Sequence, residues 1–346
     1  MTEVTVVDRA GASRVFEVPE GERILIAGLK AGVGLPHECA TGTCGTCKAR
    51  LGSGETVCMW PGAPGARKCR DGDILMCQHA ASGAVRLTVN GTFAGPPEPP
   101  VQAFRGTLSR SESLAGDAGL FALRLDRAMD YKAGQFVLVS VPGVEGARAY
   151  SMTTFEPGGA GLEFLIQRKP DGGLSRVLFD GSHAEWPVRV TGPFGRATFE
   201  TDENRPFVAI AGGSGIAGIL GILDHAMQGA HFARHRSSVY FGLRSPARSY
   251  MLERLSRYAE SAGDALRVTV AFSDEAADTA FTQRHPRLKF ASGLVHEVAG
   301  SDLPHGVGQA PVHFVAGPPA MVDAAMRMLV MQLKISPAEI RYDRFQ

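Results

Sequence analysis

Apolar residues alternate with polar ones at the start of the chain, at Val4 and Val6 and then around Val15, Phe16 and Val18. That spacing predicts two strands meeting at Ala10-Gly11, while Ile24 to Ala31 predicts a short helix and Val85 to Val89 a returning strand. Between them lies a glycine-rich segment too irregular for either period. Further on, apolar runs at Leu120 to Leu125, Phe136 to Val141, Leu162 to Gln167 and Val188 to Thr191 are divided by Gly and Pro turns. Short strands so punctuated predict a small antiparallel barrel. The pattern changes at Phe207. Apolar runs Phe207 to Ala211, Val239 to Leu243, Val268 to Phe272 and Val312 to Ala316 alternate with helical periods at Gly218 to Met227, Met251 to Ser261 and Ala320 to Leu333. This alternation predicts a parallel sheet with crossover helices. No internal repeat is visible.

The length of 346 residues suits two to three domains. Pro96-Pro97-Glu98-Pro99-Pro100 can continue neither sheet nor helix and reads as a stiff, extended spacer. The expected division is 1–92, a spacer at 93–102, the barrel at 103–203 and the α/β domain at 204–346. A formal net charge of +1 argues against nucleic acid or an anionic membrane as the main partner. No apolar run approaches the roughly 18 residues of a spanning helix, and the N-terminus has no basic region followed by an apolar core. The cytoplasm is the expected location.

All six cysteines lie between Cys39 and Cys77. Such clustering in a large chain without an export signal predicts a group held by thiolates rather than a disulfide framework. Cys39, Cys44 and Cys47 stand in Cys-x4-Cys-x2-Cys spacing, and Cys77 follows in Leu75-Met76-Cys77-Gln78. This is the plant-type 2Fe–2S arrangement, three thiolates on one loop and the fourth from a distant segment. Gly42 and Gly45 would let the loop wrap so that backbone N–H groups point at sulfur. A zinc site is the alternative, but structural zinc usually draws on two paired arms. Cys58 and Cys69 fall outside the spacing, and His37 reads as an exposed loop residue rather than a ligand.

Two more sets of residues carry candidate chemistry. Arg148-Ala149-Tyr150-Ser151 offers an arginine for a phosphate, an aromatic ring and a hydroxyl, the groups a flavin site needs. Gly172-Gly173-Leu174-Ser175 opens a helix whose free N–H groups suit a pyrophosphate. Gly213, Gly215 and Gly218 satisfy Gly-x-Gly-x-x-Gly between a strand and a helix. The next strand ends Phe241-Gly242-Leu243-Arg244-Ser245 without the acid that the common dinucleotide fold places there. Phe314-Val315-Ala316-Gly317-Pro318-Pro319-Ala320-Met321 is a second strand-to-helix turn, expected to close over the same crevice.

In this order the motifs resemble the ferredoxin–NADP reductase superfamily, and within it the reductase components of bacterial multicomponent oxygenases. The resemblance covers essentially the whole chain. It implies an α+β ferredoxin-like (β-grasp) domain, an antiparallel FAD barrel and an α/β nucleotide domain. By this likeness the cluster ligands are Cys39, Cys44, Cys47 and Cys77. Arg148, Ala149, Tyr150, Ser151, Gln167, Lys169, Gly172, Gly173, Leu174, Ser175 and Phe345 would meet FAD. The nucleotide would lie on Gly212, Gly213, Ser214, Gly215, Arg244, Ser245, Arg248, Ser273, Asp274, Gly317, Pro318 and Pro319. Ser151, Ala316 and Asp343 would flank the hydride path.

Three departures from the family pattern carry expectations. Gly218 stands where the family's glycine turn has proline. Ala316 stands where its second turn has cysteine, which predicts slower hydride transfer. Arg248 favours a 2′-phosphate, whereas Ser273-Asp274 stands where NADPH enzymes carry Ser-Arg. NADH is favoured from family habit.

The expected function is a monomeric NAD(P)H:acceptor oxidoreductase serving aromatic hydrocarbon catabolism. Electrons would pass through FAD and the cluster to a terminal oxygenase (Rieske dioxygenase, diiron monooxygenase or P450) or to an intermediate ferredoxin. The spacer would let the first domain reorient. A deoxysugar dehydrase reductase and a redox-sensing module are the alternatives.

Overall fold

The structure is a computed structural model that describes residues 1–170, 172–180, 184–303 and 311–344. The opening alternation forms the antiparallel strands β1 (Thr2–Val7) and β2 (Ser13–Val18), in register Val4 opposite Phe16. Val4, Val6, Phe16 and Val18 are buried, whereas Val15 falls on the opposite face and is 57 % exposed. The predicted helix is α1 (Ile24–Lys30). It lies so close to the sheet that a Cβ on Gly28 would sit 2.5 Å from Leu35 and 2.9 Å from Phe16. Beyond it come β3 (Lys48–Ser53), β4 (Thr56–Cys58), β5 (Asp73–Leu75), β6 (His79–Ala81) and β7 (Val85–Val89). The sheet order is β2-β1-β7-β3-β5, with β4 and β6 as a separate pair. The strands around the cysteines are three to six residues long, too short for a period to declare itself.

The middle segment forms β8 (Gln102–Leu114), β9 (Ala118–Met129), β10 (Phe136–Ser140), β11 (Arg148–Ser151), β12 (Gly159–Gln167), α2 (Gly173–Asp180) and β13 (Glu185–Phe194). The remainder forms β14 (Phe207–Gly212), α3 (Ile216–Gln228), β15 (Ser237–Leu243), α4 (Leu252–Ala262), β16 (Leu266–Phe272) and α5 (Thr279–Arg284). It continues with β17 (Lys289–Ser292), α6 (Val295–Asp302), β18 (Val312–Gly317), α7 (Pro319–Arg327) and β19 (Ile340–Arg344). The chain makes two compact units. One is Met1–Gly106 with Phe136–Ala149 and Pro187–Phe194, and the other is Thr107–Gln135, Tyr150–Trp186 and Gly195–Gln346.

In the first unit Phe136, Leu138, Ala147 and Phe194 share one apolar cluster with Leu25, Leu75, Cys77 and Val101. Each buried Phe contributes roughly 1.5–3 kcal/mol. The spacer is therefore held rather than free. Phe93 N–H donates to Asp8 Oδ2 at 3.1 Å, Ala94 N–H donates to the Gly34 carbonyl at 2.8 Å, and Val101 is buried. Apolar residues, half-buried Phe93 and buried Val101, stand at the two ends of the proline run.

In the second unit β9 and β12 pair antiparallel, Phe121 opposite Phe164. The last segment makes an all-parallel sheet ordered β17-β16-β15-β14-β18-β19. Every residue of β14 is buried because helices cover both faces. Phe207, Ala209 and Ala211 pack with α3 and α4, while Val208 and Ile210 pack with α6 and α7. The helix expected to reach Leu333 keeps α geometry only through Arg327, and Met328–Gln332 widen into a π turn. From β14 the chain first builds outward to β17 and then returns to add β18 and β19. The order therefore reverses between β14 and β18, where the carboxyl ends of parallel strands open a crevice for ligands. Among the described residues no helix is long and apolar enough to cross a membrane.

Candidate functional site

The first unit carries the thiols. Cys39 and Cys44 sulfurs lie 3.2 Å apart, as do those of Cys47 and Cys77. Among the described residues no three His, Cys, Asp or Glu side chains gather about a point that could hold a metal ion. Two thiol pairs, one for each iron, are what a two-iron cluster requires. Positive φ at Gly42 and Gly45, +83° at both, winds the loop inward. Thr41 N–H then points at Cys39 Sγ at 3.5 Å, Cys44 N–H at the same sulfur at 3.3 Å, and Thr46 N–H at Cys44 Sγ at 3.4 Å. Gln78 Nε2 approaches Cys77 Sγ at 3.6 Å.

Hydrogen bonds from the pair partners Cys44 and Cys47 favour thiolates at Cys39 and Cys77, bringing Cys39 to about 4, although burial opposes this. The partners Cys44 and Cys47 are pushed up by the same contacts and by burial. The donor set thus fits a thiolate-bound cluster. Cys58 lies on β4 opposite His79, and Cys69 is a half-buried thiol raised by burial. His37 is half-buried rather than exposed, its Nδ1 2.8 Å from the Leu35 carbonyl and its ring edge-on to Phe194 at 6.0 Å. Arg148 lies over the Trp60 ring at 5.3 Å and donates to the Ala147 carbonyl at 3.2 Å. Ala149 packs against the same apolar cluster.

The second unit brings other candidates together at the crevice. A narrow cleft is lined by Ser151, Gly218, Phe314, Ala316 and Asp343, with Gly134 and Ile219 among its remaining walls. Ala316 and Asp343 are neighbours across β18 and β19. The Ser151 hydroxyl is buried without a hydrogen-bond partner, a polar group set, with Asp343, in a largely apolar wall. Such an orphan beside a cleft fits a ligand carrying a polar edge. A Cβ on Gly215 would lie 2.4 Å from the Ala316 carbonyl oxygen, so the two strand-to-helix turns touch at this crevice. Gly212 would meet Met321 at 3.1 Å, and Gly317 takes φ +150° against the Gly212 backbone. Ser214 lies in the short turn Gly213–Gly215 between β14 and α3, and Pro318 and Pro319 open α7.

The remaining candidates spread around these turns. Tyr150 packs on Phe164 at 5.9 Å. Gln167 donates through Nε2 to the Gly116 carbonyl at 3.3 Å. Ser175 Oγ accepts from Lys169 N–H at 3.0 Å, and a Cβ on Gly172 would strike that hydroxyl at 2.4 Å. The Lys169 ammonium is held below its ordinary value by burial, and Gly173 and Leu174 begin α2. The Arg244 carbonyl accepts from Asp274 N–H at 2.9 Å, the Ser245 carbonyl from Arg248 N–H at 3.2 Å, and Ser273 Oγ donates to Asp274 at 2.5 Å. Arg248 pairs with Asp117 at 3.4 Å. Phe345 lies outside the described residues.

Comparison with known proteins supplies the family. Residues 7–82 match the 2Fe-2S iron-sulfur cluster binding domain, 105–199 the oxidoreductase FAD-binding domain and 209–327 the oxidoreductase NAD-binding domain. The ferredoxin–NAD(+) reductase component of the alkene monooxygenase system of Xanthobacter autotrophicus is 34% identical over 97% of this chain and 99% of its own. The chain belongs to the reductase components of multicomponent oxygenases. The reductase subunit of an Amycolatopsis aromatic O-demethylase is 32% identical over 99% of both chains. Among solved structures, the ferredoxin reductase in carbazole 1,9a-dioxygenase superposes with a TM-score of 0.82 at 27% identity, over 99% of this chain and 98% of that one. The Amycolatopsis cytochrome P450 reductase GcoB superposes with a TM-score of 0.77 at 30% identity, over 100% and 99%.

The reductase accordingly uses a 2Fe–2S cluster, FAD and a nicotinamide nucleotide, and it moves electrons from NAD(P)H through FAD and the cluster to an oxygenase. Several residues at these sites carry no signal in the sequence. Gly134, Trp60 and Asp117 come from turns and loops whose residue types are commonplace, and only the fold brings them beside Ser151, Arg148 and Arg248.

Proposed function

We propose that this reductase draws on NADH and delivers single electrons either to a terminal oxygenase component or to an intermediate ferredoxin, as a cytoplasmic monomer without a nucleic-acid or membrane partner. The observation that carries the reading is the grouping of four thiols into two pairs, each 3.2 Å across, with the Thr41 and Cys44 N–H groups directed at Cys39 Sγ. When bound, the nicotinamide supplies a two-electron donor, FAD a group that exchanges two electrons for one, and the cluster a one-electron carrier.

Within this reading Cys39 and Cys44 hold one iron, and Cys47 and Cys77 hold the other. The division is a β-grasp domain at 1–92, a short held spacer at 93–102, an FAD-binding antiparallel barrel at 103–203 and a nucleotide domain at 204–346. Arg148, Ala149, Tyr150, Gln167, Lys169 and the turn Gly172 to Ser175 hold FAD. Ser151 orients its reacting edge, supported by the unpartnered hydroxyl. Ala316 and Asp343 bound the place where nicotinamide meets flavin, and the apolar wall of Ile219 and Phe314 keeps water from it. Gly212 to Gly215, with Gly317, Pro318 and Pro319, cradle the nucleotide phosphates.

NADH is favoured because Arg248, a cation suited to a 2′-phosphate, already faces Asp117, and Asp274 adds a second negative charge beside Ser273. Arg244 and Ser245 complete that rim.

The test is the purified protein itself. Flavin bands with broad iron–sulfur absorbance are expected, together with steady NADH oxidation by ferricyanide and by cytochrome c. In Cys44→Ser, iron, sulfide and cytochrome c reduction should be lost while NADH-to-ferricyanide activity persists. A full complement of iron and sulfide in that variant would refute the ligand set. A sensing module would instead stall after one equivalent of NADH.

A further inference from the structure

Tyr250 stands between the turn Pro246–Arg248 and α4, and it is 4 % exposed. Its ring meets Phe241 edge-on at 6.0 Å. Its hydroxyl is buried and has no hydrogen-bond partner. The hydroxyl faces the glycine turn, since a Cβ built on Gly213 would lie 3.7 Å from the Tyr250 oxygen and 3.8 Å from Gln167 Oε1. Gly213 adopts φ +55°, in the region that turns the backbone tightly before α3. That helix has 13 residues and follows directly on the turn Gly213–Gly215, so the positive end of its dipole lies at the turn.

A phenylalanine would fill the same space without the cost of desolvating a hydroxyl. Burial also raises the phenol well above its ordinary value, so the group remains a proton donor at neutral pH. A buried donor beside the N-terminus of a helix selects an anion. Gln167 brings Oε1 to the same point, and its Nε2 donates one of its two N–H groups to the Gly116 carbonyl at 3.3 Å.

We infer that Tyr250 is a binding residue for the dinucleotide, its hydroxyl donating to a pyrophosphate oxygen held over Gly213. This rests on the proposed assignment of Gly212 to Gly215 to the nucleotide phosphates. The test is calorimetric titration of the FAD-loaded protein with ADP-ribose, which carries the pyrophosphate but exchanges no electrons with flavin. The melting temperature is measured alongside without ADP-ribose. In Tyr250→Phe the Kd should rise about tenfold, equivalent to ~1.4 kcal/mol, with the melting temperature unchanged or higher. Equal affinity of the two proteins for ADP-ribose would overturn the role of Tyr250 and leave the assignment of the turn intact. Failure of the unmodified protein to bind ADP-ribose would overturn both.

Discussion

Replacing Gly215 by alanine tests whether contact between the two turns builds the crevice. A Cβ at Gly215 would lie 2.4 Å from the Ala316 carbonyl oxygen, 2.5 Å from its carbonyl carbon and 2.7 Å from Gly317 Cα. All three are backbone atoms, so no side-chain rotation relieves the clash and the turns must part. Overpacking of this kind costs about 1–3 kcal/mol, and at about 2–4 °C per kcal/mol for a body of 150–250 residues the melting temperature should fall by roughly 2–12 °C. The shift also moves Ala316 away from the glycine turn, so the KM for NADH should rise with it. Gly218→Ala is the control three residues on. Its Cβ would meet nothing nearer than 3.5 Å, at the Gly134 carbonyl oxygen. Since alanine is about 1 kcal/mol better than glycine within a helix, that variant should melt at the same temperature or a few degrees higher. Melting is followed by the release of flavin fluorescence, and KM by steady-state oxidation of NADH with ferricyanide. Equal melting temperatures for the two variants, or a normal KM in Gly215→Ala, would refute the contact as the element that shapes the crevice.

Two further predictions follow from the second unit. Burial, and secondarily the nearby charges of His235 and Arg234, hold His231 near 4, below the ordinary histidine value of 6.5. The unfolded chain therefore binds a proton that the folded one refuses, and stability is complete above pH 6.5 and falls as the pH drops toward 4. The loss attributable to this residue is roughly 3 kcal/mol at full protonation, and a flatter pH dependence of the urea midpoint in His231→Gln checks it. The geometry agrees with a neutral ring, because Ser237 Oγ accepts from Phe207 N–H at 3.1 Å and lies 3.0 Å from His231 Nε2. Asp117→Asn should free the Arg248 guanidinium and raise kcat/KM for NADPH relative to NADH several-fold. An unchanged ratio would remove the ion pair from the account of nucleotide choice.

Much of this protein could be read from the order of its residues. The Cys39, Cys44, Cys47 and Cys77 spacing is chemistry written locally, since three ligands share nine residues and thiolates have few other uses in such numbers. The parallel strands were equally legible. Burial on both faces demands unbroken apolar runs such as Phe207 to Ala211, and crossover helices must separate them. The short strands β4, β5 and β6 were not legible, because three residues hold no period.

Three matters were left to the tertiary structure. Val15 looks like its apolar neighbours, yet pairing in register turns it to the opposite face. The proline run at 96–100 specifies stiffness but not attachment, and it is the packing of half-buried Phe93 and buried Val101 that anchors its ends. Arg248 and Tyr250 acquire their meaning from Asp117 and Gly213, which are distant in the chain. Local sequence dictates backbone propensity and the inventory of reactive groups, because both depend on near neighbours. Whether a charge is already answered, or a hydroxyl left waiting, depends on what packing brings within a few ångströms.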